Sequence, residues 1–237
     1  MSDQDSLPPC EKNTVIALIP EIITSPNTAI DRIWRHGAPW WLPLIIVSIS
    51  IGLAWVLYYS QVDYDWLIHY NTSLLDPESR EQAVMGMKGM SARGLAGMTV
   101  GGIVVMLLIF SFISALYLLL INRVTGTTPR TYKEWLSIST WMSLPTVFIG
   151  MGAILNVLLS ESSELPPEML SLTNVNALIF HASKGEPLFN FYSSLDLINF
   201  WSIALVAMAL IKNGQSRIAA VIISLVPQVI ILSFVLF

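Results

Sequence analysis

The sequence predicts an all-α fold, a polytopic membrane protein built as a bundle of five transmembrane helices, and three observations lead there. Of its 237 residues, 54% are hydrophobic and only 12% charged, about half the charge of an ordinary soluble domain. Mean hydropathy is +0.65, more apolar surface than a chain of this size keeps from water in a soluble fold. The apolar residues also gather into uncharged stretches near the roughly 20 residues that a helix needs to cross a bilayer core. The same composition excludes other classes. A disordered chain needs high charge and low hydrophobicity. A nucleic-acid binder needs a basic excess, and 12 Lys and Arg against 16 Asp and Glu leave a net charge of -4. A single cysteine, Cys10, excludes a disulfide framework and a cysteine metal cluster.

The first span covers residues 40–59 (WWLPLIIVSISIGLAWVLYY), uncharged and with aromatic residues at both ends, as expected where rings sit at the headgroup level. The second covers 95–121 and the third 135–159, both uncharged. The fourth, 195–211, is the shortest. Its uncharged core begins at Leu197, and extending it upstream through Pro187-Leu-Phe-Asn-Phe-Tyr gives a crossing interrupted only by Asp196. The fifth, 218–237, is apolar throughout.

Orientation follows from Lys and Arg. Lys12, Arg32, Arg35, Arg123, Arg130, Lys133, Lys212 and Arg217 fall on one side of this threading, and Arg80, Lys88, Arg93 and Lys184 on the other. The N-terminus is therefore expected in the cytoplasm and the C-terminus outside, in a bacterial inner (plasma) membrane. The first 14 residues are mixed polar and show no signal-peptide pattern, so the first span is expected to act as the insertion signal.

Residues 1–37 read as a cytoplasmic tail and 38–237 as the membrane domain. Within the tail, Ser25-Pro-Asn-Thr marks a helix start. Ile30, Ile33 and Trp34 share one face, with Asp31, Arg32 and Arg35 on the others. That pattern predicts an interfacial helix; a cap packed on the inner loops is the alternative. On the other side, Asp76-Pro-Glu-Ser predicts a capped helix start. That helix is expected to run through Met85-Gly-Met-Lys-Gly-Met into the second span. Residues 160–194, polar and acidic, predict an irregular cap.

No catalytic, cofactor-binding or metal set emerges. His36, His69 and His181 lie in separate segments, and neither HExxH nor GxSxG occurs. Asp196 admits two readings. A carboxylate at bilayer depth implies a functional partner, whereas Ser193-Ser194-Leu195-Asp196 suits a helix start whose hydroxyls cap free N–H groups. Gly97-x-x-x-Gly101-Gly102 and Gly150-x-Gly152-Ala153 offer surfaces for close helix approach, within the chain or in a homo-oligomer. On the first reading, Gly101→Leu is expected to lower folded yield. Pro145 and Pro227 are expected to interrupt the third and fifth spans. Asn156, Asn199 and Gln228 could then satisfy the freed backbone groups.

The order of segments resembles the Yip (Ypt/Rab-interacting protein) domain family of five-helix membrane proteins, in its bacterial form. The resemblance runs from IITSPNTAIDRIWR through TGTTPRTYKEWLSISTW to SLDLINFWSIAL and KNGQSR. Its most telling parts are Thr131-Tyr132-Lys133-Glu134-Trp135, the Leu144-Pro145 step, and Asp196 with Phe200-Trp201. The outer loops and the Met/Gly-rich stretch 85–98 are longer than the family's usual pattern. The resemblance implies a membrane protein without known catalysis. It transfers no active-site residues, and the Rab-linked traffic of eukaryotic relatives has no bacterial counterpart. The expected function is a membrane scaffold or partner-binding factor whose partners are the lipid bilayer and a membrane protein or second copy. A channel or transporter subunit is the alternative, motivated by the two prolines and the polar span residues.

Overall fold

The computed structural model describes the backbone of residues 12–236 and the side chains of residues 15–233. Cys10 and the start of the predicted tail, and Phe237 at the end of the fifth predicted span, lie outside the described residues. Eleven α-helices follow one another among these residues. They are α1 (Lys12–Thr24), α2 (Pro26–His36), α3 (Trp41–Gln61), α4 (Tyr64–Thr72), α5 (Pro77–Lys88), α6 (Ala92–Thr125), α7 (Tyr132–Met142), α8 (Val147–Leu159), α9 (Phe189–Ser194), α10 (Leu197–Lys212) and α11 (Arg217–Leu236). No strand forms among the described residues, and one antiparallel bridge joins Asn174 to Asp196.

Three stretches are long and apolar enough to cross a membrane: α3, α6, and the run Tyr132–Leu159 that α7 and α8 share across a 3-10 turn. That turn, Leu144–Thr146, contains Pro145, which lacks the N–H needed to continue the α7 ladder. The predicted break at Pro145 is therefore present. Pro227 behaves otherwise, because α11 continues through it. One missing donor does not end a helix whose remaining backbone bonds are all internal.

Two further expectations fail at connections. α10 has 16 residues, about 24 Å at the helical rise, which is less than a bilayer core. The upstream extension does not lengthen it, since α9 ends at Ser194 and Leu195 is extended with ψ 114°. Likewise α5 ends at Lys88 and does not run into α6. Its last turn closes on Gly89, whose N–H donates to the Met85 carbonyl at 3.0 Å. The predicted start of α5 does hold. Asp76 accepts from the Ser79 N–H at 3.1 Å, and Pro77 occupies the first helical position, where its missing donor costs nothing.

The chain divides into two compact units. The first comprises Met1–Ile46, Leu108–Pro145 and Asn199–Ile230; the second comprises Val47–Leu107, Thr146–Ile198 and Ile231–Phe237. In the first, Leu18 and Ile22 of α1 and Ala29, Ile30 and Ile33 of α2 join Trp135, Trp141, Leu205 and Leu210 in one buried cluster. The expected lipid-facing helix at Pro26 is thus corrected. The helix forms, but protein covers its apolar face, with Ile30 and Ile33 at most 1% exposed. An amphipathic stripe fits a bilayer surface and a protein surface equally, so its pattern could not distinguish them.

In the second unit, Ala54, Tyr58, Leu67, Ala153, Val157 and Leu170 form the core. Helices α3 and α8 approach closely at Gly150. A Cβ there would sit 2.7 Å from the Ser50 carbonyl carbon and 2.8 Å from the Ile51 nitrogen. The Ser50 hydroxyl donates to the Val147 carbonyl at 2.9 Å, fixing the crossing. The Gly97, Gly101 and Gly102 surface on α6 does the opposite, being exposed with open space where each Cβ would stand. The expected packing of that surface within the chain is therefore absent.

Candidate functional site

Each unit holds one concentration of polar side chains. In the first unit, Asn122 near the end of α6 is buried, and its amide donates to the Thr127 hydroxyl at 2.8 Å and the Thr128 carbonyl at 3.0 Å. Its Oδ1 accepts from the Arg130 backbone N–H at 3.0 Å and from the Trp135 indole at 3.4 Å. Arg130 extends the network. Its Nε donates to Asn213 Oδ1 at 3.1 Å, its Nη1 pairs with Glu134 at 3.0 Å, and its guanidinium lies 4.3 Å from the Trp34 ring centroid.

The start of α7 is fixed by a capping box. Thr131 Oγ1 accepts from the Glu134 N–H, and Glu134 accepts from the Thr131 N–H at 2.7 Å. Gln215, just before α11, donates to Thr125 Oγ1 at 2.5 Å. Lys212 pairs with Asp31 at 2.6 Å. The segments 31–36, 122–134 and 212–217 are thereby tied into one polar end of the unit. Its three described acids, Glu21, Asp31 and Glu134, are each ion-paired. Arg35, Arg123, Lys133 and Arg217 are exposed with no carboxylate in ion-pairing range among the described residues.

The second unit has the opposite sign. Asp63, Asp65, Asp76, Glu78, Glu81, Glu161, Glu164, Glu168, Glu186 and Asp196 face only Arg80, Lys88, Arg93 and Lys184. Residues 160–194, expected to be irregular, hold a 3-10 turn at Pro167–Met169, a π-helical turn at Asn176–Phe180 and the short helix α9. Asparagine side chains stitch this segment. Asn174 donates to the Glu168 and Ser171 carbonyls and accepts from the Ala177 N–H at 2.6 Å. Asn176 grips Ala182 through both its backbone groups, at 3.0 and 2.9 Å.

A cavity of about 330 Å³ lies against this segment, with Tyr70, Glu168, Asn176, His181, Lys184 and Phe189 in its wall. The Tyr70 hydroxyl donates to Glu168 Oε2 at 3.2 Å. Burial and the nearby Glu168 carboxylate push the phenol up to about 12, so at neutral pH it is a neutral donor. Lys184 donates to the Tyr70 carbonyl at 2.8 Å and its ammonium lies 4.1 Å from that ring's centroid.

The residues singled out from sequence meet mixed fates. Asp196 is buried at the opening of α10. It accepts from the Ser171 hydroxyl at 2.6 Å, the Thr173 hydroxyl at 2.9 Å and the Ile198 N–H at 2.9 Å. The helix-start geometry is present, but the hydroxyls come from Ser171 and Thr173. Of the expected pair, Ser194 donates to its own Phe191 carbonyl, and the Ser193 oxygen is buried without a partner. Asn156 donates to the Met169 carbonyl at 2.5 Å, a loop acceptor and not a proline-freed group. Asn199 and Gln228 are half-buried on α10 and α11, and Pro145 is buried. Of the two prolines behind the channel reading, only Pro145 breaks its helix.

Sequence reasoning passed over Asn122, Asn213, Tyr70, Glu168 and Lys184 as site residues. A signal existed for the first network, since Thr131-x-x-Glu134 is a readable capping box. None existed for the cavity, whose Tyr70 and Lys184 are far apart in the chain.

Comparison with known proteins agrees with the apolar helices. The chain is 30% identical over 194 residues to "Membrane protein YknW" of Bacillus subtilis (strain 168), covering 81% of this chain and 77% of that one. No solved structure matches it. The homologue and the apolar helices support a multi-pass membrane location. A family model for the Yip1 domain matches residues 21–237, and the chain accordingly belongs to the Yip1 domain family of membrane proteins.

Proposed function

We propose that this chain is a five-span, non-enzymatic scaffold of a bacterial inner membrane that holds a membrane-protein partner or a second copy. Its N-terminus lies in the cytoplasm and its C-terminus outside. The observation that carries the reading is the polar end of the first unit. There Asn122, Arg130 and Asn213 tie three connecting segments into one platform, while Arg35, Arg123, Lys133 and Arg217 remain exposed and unneutralised. The basic residues exposed on this platform support a cytoplasmic placement of the segments that carry them. The short α10 completes the fourth crossing by local thinning of the bilayer or by residues flanking it, as short spans do.

Crosslinking with mass spectrometry in native membranes tests the proposal. Recurrent links from Lys133 or Lys212 to one membrane protein, or to a second copy, are the expected result. Links confined to pairs within one chain would overturn it.

A further inference from the structure

We infer that the cavity beside Tyr70 binds a small zwitterion, a molecule carrying an anionic group and an ammonium a few bonds apart. Phosphoethanolamine has that chemistry, free or as the headgroup of a phospholipid. The inference is independent of whether the chain acts as a scaffold. Two opposite charges in the wall select the ligand. Lys184 is half-buried and its ammonium is held by the Tyr70 carbonyl and ring. No carboxylate reaches it within ion-pairing range among the described residues. Glu168 stands at the hydroxyl of the ring over whose face the ammonium lies, with one carboxylate oxygen engaged by that hydroxyl.

The two charges do not pair with each other, and each is left to a ligand. A simple anion would satisfy Lys184 but meet Glu168, and a simple cation would meet the reverse. A zwitterion satisfies both, so specificity comes from the repulsion of the alternatives as much as from attraction. Asn174 and Asn176 do not compete, because both are consumed by backbone contacts, and His181 and Ser183 complete the polar part of the wall. Phe189 and Met169 supply apolar wall, and the volume lies in the range of small-molecule sites.

The backbone is held for this arrangement. His181 at the rim has φ 50° and Leu188 has φ 63°, left-handed values that cost a non-glycine residue energy. The adjoining turn is π-helical, a local form frequent at functional sites. The two Asn176 bonds to Ala182 hold this path in place.

The test uses the full chain in neutral detergent, titrated with phosphoethanolamine, inorganic phosphate or ethanolamine while binding heat and thermal midpoint are followed. A parallel arm places it in nanodiscs of phosphatidylglycerol with and without phosphatidylethanolamine. Phosphoethanolamine is expected to bind at least about tenfold tighter than either fragment. Lys184→Gln and Glu168→Gln, which each remove one charge while keeping a polar side chain, should each weaken it about tenfold. Stabilisation by the phospholipid alone would identify the headgroup as the source, and by the free compound alone a soluble ligand. Equal binding of inorganic phosphate, unchanged binding by both variants, or no response in either arm would overturn the inference.

Discussion

The two units close their polar groups by different means. In the first, side chains tie one segment to another by bonding to each other: Arg130 to Asn213 and Glu134, Gln215 to Thr125, Lys212 to Asp31, Arg32 to Glu21. In the second they bond mainly to backbone. Arg80 takes the carbonyls of Thr72, Ser73 and Leu75, Tyr58 takes Leu165, Tyr64 takes Met87, and Lys184 takes Tyr70. All three ion pairs among the described residues fall in the first unit. The cause lies in the local backbone. In the first unit, charged and amide side chains gathered at short connections between helices reach one another across segments. Short helices and irregular turns leave carbonyls open, and each buried one needs a donor.

The strongest challenge to this contrast comes from the close helix-on-helix approach in the second unit. Gly150→Leu should force α8 from α3 and cost about 3 kcal/mol or more, read as a lower denaturant midpoint in detergent and loss of monodisperse protein. Next, Asn122→Leu should strand the Arg130 N–H and Trp135 indole inside the first unit. A cost of about 2–3 kcal/mol is expected, with amide exchange rising first at 127–131. A cost near zero would mean that the side-chain network is ornamental.

Asp196 tests the second unit's polar closure more gently. Asp196→Ala removes the acceptor for two hydroxyls and one N–H and should cost about 1–2 kcal/mol. Asp196→Asn keeps an acceptor and should cost less than about 1 kcal/mol. Loss of function in a fully stable Asn variant would instead reveal a role for the charge.

Acidification sharpens the comparison at an exposed cap. The Ser79 side-chain and backbone bonds hold the Asp76 carboxyl below the usual carboxylate range. Its contribution to α5 is therefore present above that range and lost as pH falls through the lowered value. Exchange at Glu78–Arg80 should quicken below about pH 4. The smallest effect belongs to Gly101→Leu. Open space at that position predicts unchanged yield and midpoint, reversing what a small-residue motif suggests.

Much of the helical framework was legible because its causes are local. The runs that became α3 and α6, the stop at Pro145 and the Asp76 cap all follow from residues within a turn or two of one another. The two glycine surfaces were not separable. Gly97-x-x-x-Gly101 and Gly150-x-Gly152 carry the same local signal, and only the approach of Ser50 distinguishes them. The same limit hid the cavity, since Tyr70 meets Glu168 and Lys184 only after α4 and the 166–189 segment fold together. The breaks at residues 89–91 and 195–196 were missed for another reason. Hydropathy persists across them, while continuity of a helix depends on caps and on carbonyls offered by other segments.

By itself the sequence determined that apolar helices would cross lipid, because a bilayer tolerates only segments that satisfy their own backbone, and composition records that directly. It also showed that basic residues gather in some connections and acidic ones in others. The tertiary structure alone decided which apolar face meets protein, which glycine admits a neighbour, and which charges stay unneutralised. Those depend on distances between residues far apart in the chain, and no spacing along a single segment encodes them.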